Sequence, residues 1–280
     1  MRALVVGASG QLGRELVTWI GGDLEWAGGR DALDVTDAAA VAALVARVRP
    51  DVVYNAAAYN RVDAAESEHE RAFAVNARAP LALASAARAV GAVIVHVSSD
   101  YVFDGRASRP YREDDPVGPL STYGASKLAG ERAVLGSGAE AIVVRTSGVL
   151  GRGGSAQKGG SFVDRILARA RAGAPLSVVA DQVFAPTFAS ELARALVDLV
   201  RLEARGLYHV TNEGQCSWHE LATEALAAAG LSQPVEAITA ASLGLPARRP
   251  AYSVLDTSRA HALGLAPLRP WREALRDLVA

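Results

Sequence analysis

Ala3-Leu4-Val5-Val6-Gly7-Ala8-Ser9-Gly10-Gln11-Leu12-Gly13 is the stretch that decides the fold. Four apolar residues in a row read as a strand buried on both faces. Three glycines spaced G-x-x-G-x-x-G follow at once, and Leu12–Ile20 carries a helical period. A strand that turns through glycines into a helix is the opening unit of a dinucleotide-binding sheet. Gly7 permits the tight turn, Gly10 lets backbone approach a pyrophosphate, and Gly13 lets helix and strand pack closely. The helix start then offers unpaired N–H groups and a positive dipole to phosphate.

The alternation continues outward. Asp51–Tyr54, Ala92–Val97 and Ala141–Val144 read as further buried strands. Helical patterns lie between them at Ala38–Val48, Glu68–Val75, Pro80–Val90 and Thr122–Leu135. This predicts an α/β fold, a Rossmann-type doubly wound parallel sheet with helices on both faces. A second strand should end near Gly28–Arg30. Arg30 could pair a 2′-phosphate, which leans towards NADPH over NADH. Asn55-Ala56-Ala57-Ala58 ends the next strand with small side chains that let a cofactor cross the sheet edge. Beyond residue 150 the alternation loosens. Gly151–Gly160 reads as a mobile loop. Helices near Phe162–Ala172, Ser190–Val200 and Trp218–Ala229 form a smaller C-terminal α/β portion that completes a cleft. The division is residues 1–145, mainly cofactor-binding, and 146–280, mainly substrate-binding, with the chain returning to the core.

Composition agrees with a generic enzyme. The chain has 280 residues, 29 Lys+Arg against 30 Asp+Glu, and a net charge of −1, which argues against a nucleic-acid partner. One Cys excludes an intrachain disulfide and fits a reducing compartment. The apolar run at the N-terminus is shorter than the roughly 7–15 residues of a signal-peptide core. No run approaches the roughly 20 residues of a membrane span. A cytoplasmic location is expected.

The chemical end begins at Tyr123-Gly124-Ala125-Ser126-Lys127, which puts tyrosine and lysine on one helix face. The strand Ala92–Val97 leads into Ser98-Ser99-Asp100, at the sheet edge where open α/β folds bind ligands. Ser99, Tyr123 and Lys127 should therefore converge. Reducing a ketone needs a hydride at carbon and a proton at oxygen. A tyrosine of pKa near ~10 is a poor partner at neutral pH unless an ammonium lowers it. A serine hydroxyl can donate to the oxygen as charge develops.

These motifs resemble the dTDP-4-dehydrorhamnose reductase family, within the extended short-chain dehydrogenases/reductases. The resemblance is carried by Gly7–Gly13, Leu33-Asp34-Val35-Thr36-Asp37, Pro50–Tyr59, Val62-Asp63-Ala64-Ala65-Glu66 and Ser98-Ser99-Asp100-Tyr101-Val102-Phe103-Asp104-Gly105. Tyr123–Glu131 and Pro246-Ala247-Arg248-Arg249-Pro250 extend it nearly end to end. It implies NAD(P)H-dependent reduction of the C4 ketone of a dTDP-linked 6-deoxysugar, giving dTDP-L-rhamnose in the typical member. It implies Tyr123 as proton donor, Lys127 as its partner, and Ser99 in place of a usual threonine. Gly10, Gln11, Leu12, Asp34, Val35 and Ala56–Ala58 fall at cofactor-contacting places, and Asp100 beside the sugar.

The departures concern substrate. The family reads Arg-Thr-Ser-Trp-Val-Tyr-Gly where this chain has Arg145-Thr146-Ser147-Gly148-Val149-Leu150-Gly151. The family's tryptophan packs at the substrate. Asn60 replaces a usual threonine, and Phe184 stands where glycine is usual. Either the pocket is reshaped or Phe184 fills the space that Gly148 vacates.

Other residues are weighed similarly. The five His are scattered, so no metal is expected, although some family members are described with Mg²⁺ at a subunit contact. A homodimer is left open. Cys216 reads as packing, and Trp218 and Trp271 as core anchors. Arg145, Arg152 and Lys158 are weighed as diphosphate ligands, and Arg248-Arg249, held between prolines, as better ones. Two rivals stand beside the leading activity: a 4-ketoreductase for another NDP-deoxysugar, and a non-catalytic regulatory subunit that keeps the cofactor site. A dehydratase ranks low because no Asp-Glu pair adjoins Ser99.

Overall fold

In the computed structural model, which describes residues 1–153 and 160–280, strand β1 (Ala3–Val6) is buried along its whole length. Most of the expected loop Gly151–Gly160 falls outside the described residues. β2 (Leu24–Gly28), β3 (Val52–Asn55), β4 (Val93–Ser99), β5 (Ala141–Thr146) and β6 (Gly206–His209) join β1 in one six-stranded sheet, ordered β6-β5-β4-β3-β1-β2. Every pairing in it is parallel. The strand order reverses beside β1, so the crevice opens at the carboxyl ends of β1 and β3. Register brings those ends level, with Val6 opposite both Gly28 and Asn55.

The period-2 geometry of β1 explains its hydrophobic run. Ala3 and Val5 face one helix layer, where Leu12, Leu16 and Ile20 meet Leu192, Leu196 and Leu199. Leu4 and Val6 face the other, with Val41, Leu44, Val45, Leu83 and Ala87. A strand covered on both sides has no polar face to alternate. A separate apolar cluster, including Leu150, Ile166, Leu176, Leu221 and Trp271, sits in the C-terminal half. The helix Ala189–Arg201 and β6 return from that half to the central sheet.

Several boundaries differ from the sequence reading. β4 and β5 run on to Ser99 and Thr146, because the polar pairs Ser98↔Arg145 and Ser99↔Thr146 keep the ladder. The helix expected to stop at Val75 instead passes through a π turn, Ala74–Arg78, into Ala79–Val90. Pro80 has no N–H for the Asn76 carbonyl, and the helix widens there. No described helix is long and apolar enough to cross a membrane.

Candidate active site

A cleft of about 2070 Å³ runs from the glycine turn to the C-terminal half. Gly7, Gly10, Gln11, Leu12, Arg30, Asp34, Val35 and Ala56–Ala58 line one end. Gly7 has φ +83°, and a Cβ on it would lie 2.6 Å from Ala57 N. Gly13 does not line the cleft. A Cβ there would lie 2.1 Å from Gly7 O, so its role is packing beneath the turn. Gly10 precedes the helix in an extended conformation and gives it no side-chain cap. The first helical N–H groups therefore remain open to an anion. Gln11 Nε2 is buried without a partner. A glycine cradle, an uncapped helix start and an orphaned amide fit the pyrophosphate of a dinucleotide.

The adenosine end is asymmetric in charge. Arg30 is exposed on the rim. Asp34 Oδ1 accepts from Thr36 N (3.0 Å) and Thr36 Oγ1 (2.7 Å), which hold its carboxyl below the usual range. Beneath the alanines lies a pair that the sequence reading missed. Asn55 Oδ1 accepts from Ala57 N, and its Nδ2 donates to His96 Nδ1 at 3.1 Å. His96 is fully buried and burial pushes its pKa well down, so it is neutral with its proton on Nε2.

Ser99, Tyr123 and Lys127 meet on the cleft floor. Ser121 caps the helix Thr122–Leu135, accepting from Gly124 N, while Glu66 accepts from Thr122 N at 2.8 Å. Asn76, on the π turn, accepts from Tyr59 N and donates to Tyr59 O and Ser126 Oγ. Ser126 in turn donates to Tyr123 O. The tyrosine's helix and the loop at Asn60 are thus tied to one buried amide.

The charges correct the expectation of a tyrosine acidified by its lysine. Burial pushes Tyr123 up to about 12, opposed by its hydrogen bond with Ser99. Burial pushes Lys127 down to about 8, opposed by the charge of Glu131. Lys127 Nζ donates to Val97 O at 2.6 Å. Desolvation and the Asp100 charge set the phenol, and its hydrogen bond with Ser99, rather than Lys127, is what opposes them.

Asp100 is a hub. Its Oδ1 accepts from Ser99 Oγ (2.8 Å), and its Oδ2 accepts from Ser147 Oγ (2.7 Å) and Ser253 Oγ (2.6 Å). Burial raises its pKa and the three hydroxyls lower it. Ser147 and Ser253 come from distant segments, which no local pattern signals.

Asn60, Gly148, Phe184 and Arg248 also line the cleft. Gly148 and Phe184 are in contact, and the Phe184 ring occupies the space a side chain at 148 would need. Several arginine expectations are corrected. Arg145 is buried in a bidentate pair with Glu131 and lies over the Phe103 ring. Arg152 donates to Asp277 O. Arg249 forms a bidentate pair with Asp63. Lys158 lies outside the described residues. Arg249 still lines the cleft, and Arg165 and Arg169, one helical turn apart, line it as well. Trp271 is 1% exposed, as a core anchor should be, but Trp218 lines the cleft. Cys216 packs in the C-terminal cluster. Among the described residues, no three His, Cys, Asp or Glu side chains are placed to hold a metal.

Comparisons with known proteins add to this geometry. A family model described as RmlD substrate binding domain matches residues 1–280. The chain is 46% identical over 285 residues to a dTDP-4-dehydrorhamnose reductase of Streptomyces griseus, spanning 99% of this chain and 92% of that one. It is 44% identical over 285 residues to a probable dTDP-4,6-dihydroxy-2-methyloxan-3-one 4-ketoreductase of Streptomyces antibioticus, spanning 99% and 94%. The solved dTDP-4-dehydrorhamnose reductase of Bacillus anthracis, in complex with NADP, superposes with a TM-score of 0.94 at 33% identity, covering 99% and 98%.

Proposed function

The chain belongs to the RmlD substrate-binding-domain family, and on that premise we propose that it reduces the C4 ketone of a dTDP-linked 6-deoxysugar with NADPH. The first substrate to test is dTDP-4-dehydro-L-rhamnose, giving dTDP-L-rhamnose. The observation that carries the reading is the grouping of Ser99, Tyr123 and Lys127 in a cleft continuous with the glycine cradle.

The Gly7–Leu12 amides would hold the pyrophosphate, and Arg30 the 2′-phosphate that distinguishes NADPH from NADH. Asp34 and Val35 would flank the adenine, with Ala56–Ala58 beneath. When bound, the nicotinamide supplies the hydride to the carbonyl carbon. Tyr123, held near 12, is protonated at neutral pH and donates to the carbonyl oxygen. Ser99 releases its bond to Asp100 and donates to the same oxygen, while Asp100 keeps Ser147 and Ser253. Lys127 stabilises the phenolate left on Tyr123. Arg248, with Arg165 and Arg169 on the facing helix, would meet the diphosphate.

We assign the cofactor mainly to residues 1–145 and the sugar mainly to 146–280. We place the reaction in the cytoplasm, since the single buried thiol needs no oxidising compartment. Incubation with NADPH and dTDP-4-dehydro-L-rhamnose should oxidise the cofactor; no oxidation would end the rhamnose version. The contact of Gly148 with Phe184 favours a second reading, a 4-ketoreductase for a different dTDP-deoxysugar. Faster turnover of another ketosugar in a substrate panel would establish it.

A further inference from the structure

Three aromatic rings form one wall of the cleft in a chain with only 6% aromatic residues. Phe184 and Trp218 stack with centroids 4.1 Å apart and planes at 27°. Trp218 meets Phe162 at 4.9 Å and 59°. Phe184 is 4% exposed, whereas Trp218 and Phe162 are half-buried and keep surface towards the cleft. Phe184 is the backing and Trp218 the face.

This wall is built where it stands by exchange of volume. Gly148 has φ +50°, and a Cβ there would lie 2.2 Å from Phe184 Cε2 and 2.5 Å from Cδ2. Contacts that short are excluded, so Phe184 holds its position only because residue 148 has no side chain. Trp218 is fixed independently. Phe184 lies opposite Cys216 in an antiparallel pair, and Ser217 caps the helix that Trp218 opens, its Oγ accepting from Glu220 N and its own N–H donating to the Glu220 carboxylate.

The wall also adjoins the reacting groups. Gly148 follows Ser147, and Val183 N and O bond to Ala251 O and Ser253 N. Ser147 and Ser253 both donate to Asp100, which holds Ser99. The floor of the same cleft, Ser99, Asp100 and Tyr123, is polar. A 6-deoxysugar presents a methyl group and ring C–H bonds on one side and hydroxyls on the other. The floor satisfies the hydroxyls and gives the apolar side nothing. We propose that Trp218, backed by Phe184, stacks on the apolar face of the 6-deoxysugar, and that the Gly148–Phe184 contact makes Phe184 a positioning residue for sugar specificity. The proposal rests on the ketosugar reading above.

The test compares wild type with Trp218→Leu, Trp218→Phe and Phe184→Leu. Three quantities are read: KM and kcat for dTDP-4-dehydro-L-rhamnose, the affinity for dTDP alone, and the affinity for NADPH. Trp218→Leu should raise KM about tenfold, the order of one aromatic contact, and leave the dTDP and NADPH affinities within about twofold. Trp218→Phe should stay within about threefold of wild type in KM. Phe184→Leu should raise KM less than Trp218→Leu and change kcat little. Intact NADPH binding separates loss of stacking from misfolding. An unchanged KM in Trp218→Leu overturns the proposal. So does an equal fall in dTDP affinity, which would put the ring on the base. If wild type fails to turn over the ketosugar, the proposed function fails by itself. Calorimetry of dTDP-L-rhamnose against dTDP then still reads whether Trp218→Leu removes the sugar's share of affinity.

Discussion

Replacing Glu131 by Gln should damage stability and the alkaline side of the pH profile together. Glu131 accepts from Arg145 Nε (2.9 Å) and Nη2 (2.8 Å), and the two side chains are 2% and 4% exposed. Glu131→Gln keeps the shape and removes the charge. The guanidinium is then left buried with the Phe103 face, 3.5 Å contacts to Glu113 O and His209 Nε2, and one neutral amide oxygen. Breaking one side of a buried pair costs about 3–5 kcal/mol. With an unfolding entropy near ~2.1 cal/mol/K per residue over this length, Tm should fall by about 5–8 °C. Scanning calorimetry reads it. The double variant Glu131→Gln with Arg145→Met should recover most of the loss, because no uncompensated charge remains. Glu131 also raises the pKa of Lys127. Without it, Lys127 loses its proton at lower pH than in wild type, and the alkaline fall of kcat should move down in pH. A Tm unchanged by Glu131→Gln would refute the stabilising role, and an unmoved alkaline limb would refute the coupling to Lys127.

Three further outcomes follow from the same geometry. Tyr123→Phe should lower kcat by about 10²–10⁴-fold, the worth of a positioned proton donor, and keep NADPH affinity by fluorescence titration. In wild type, kcat should fall as pH rises through about 8, where Lys127 deprotonates; a profile flat to pH 10 would remove Lys127 from the reaction. The direction follows from charge, since Lys127 is an ammonium below that pH and neutral above it. Arg30→Ala should raise the Kd for NADPH by about ten- to a hundredfold and leave NADH unchanged, as expected for one lost charge-assisted contact worth roughly 1.5–3 kcal/mol.

The scaffold was legible because its signals are local. β1 and the helices Ala38–Val48 and Thr122–Leu135 match the apolar and helical patterns to the residue. Hydropathy failed where polar residues extend the ladders at Ser98, Ser99, Arg145 and Thr146, which is the ligand-facing end. The grouping of Ser99, Tyr123 and Lys127 was readable from one strand end and one helical turn. Ser253 was not, since it meets Asp100 across 153 positions. The arginines show the same limit. Arg145 and Arg249 looked like free cations, but Glu131 and Asp63 consume them, and those partners are set by tertiary contacts. Trp218 looked like core by its type, but it lines the cleft, stacked on Phe184.

Burial also sets the direction in which the site works. Tyrosine and lysine side chains free in water ionise within about half a unit of one another. Here burial lowers Lys127 and raises Tyr123, so the phenol holds its proton more tightly than the ammonium does. Proton transfer from Tyr123 to Lys127 is therefore uphill, and the phenol keeps its proton until a stronger base appears beside it. An alkoxide developing on a reduced ketone is such a base. The reverse reaction would need Tyr123 as a phenolate at the outset, a state that is scarce at neutral pH when its pKa is near 12. The same desolvation thus keeps the free site at neutral pH in its proton-donating form, the form from which reduction of a carbonyl starts.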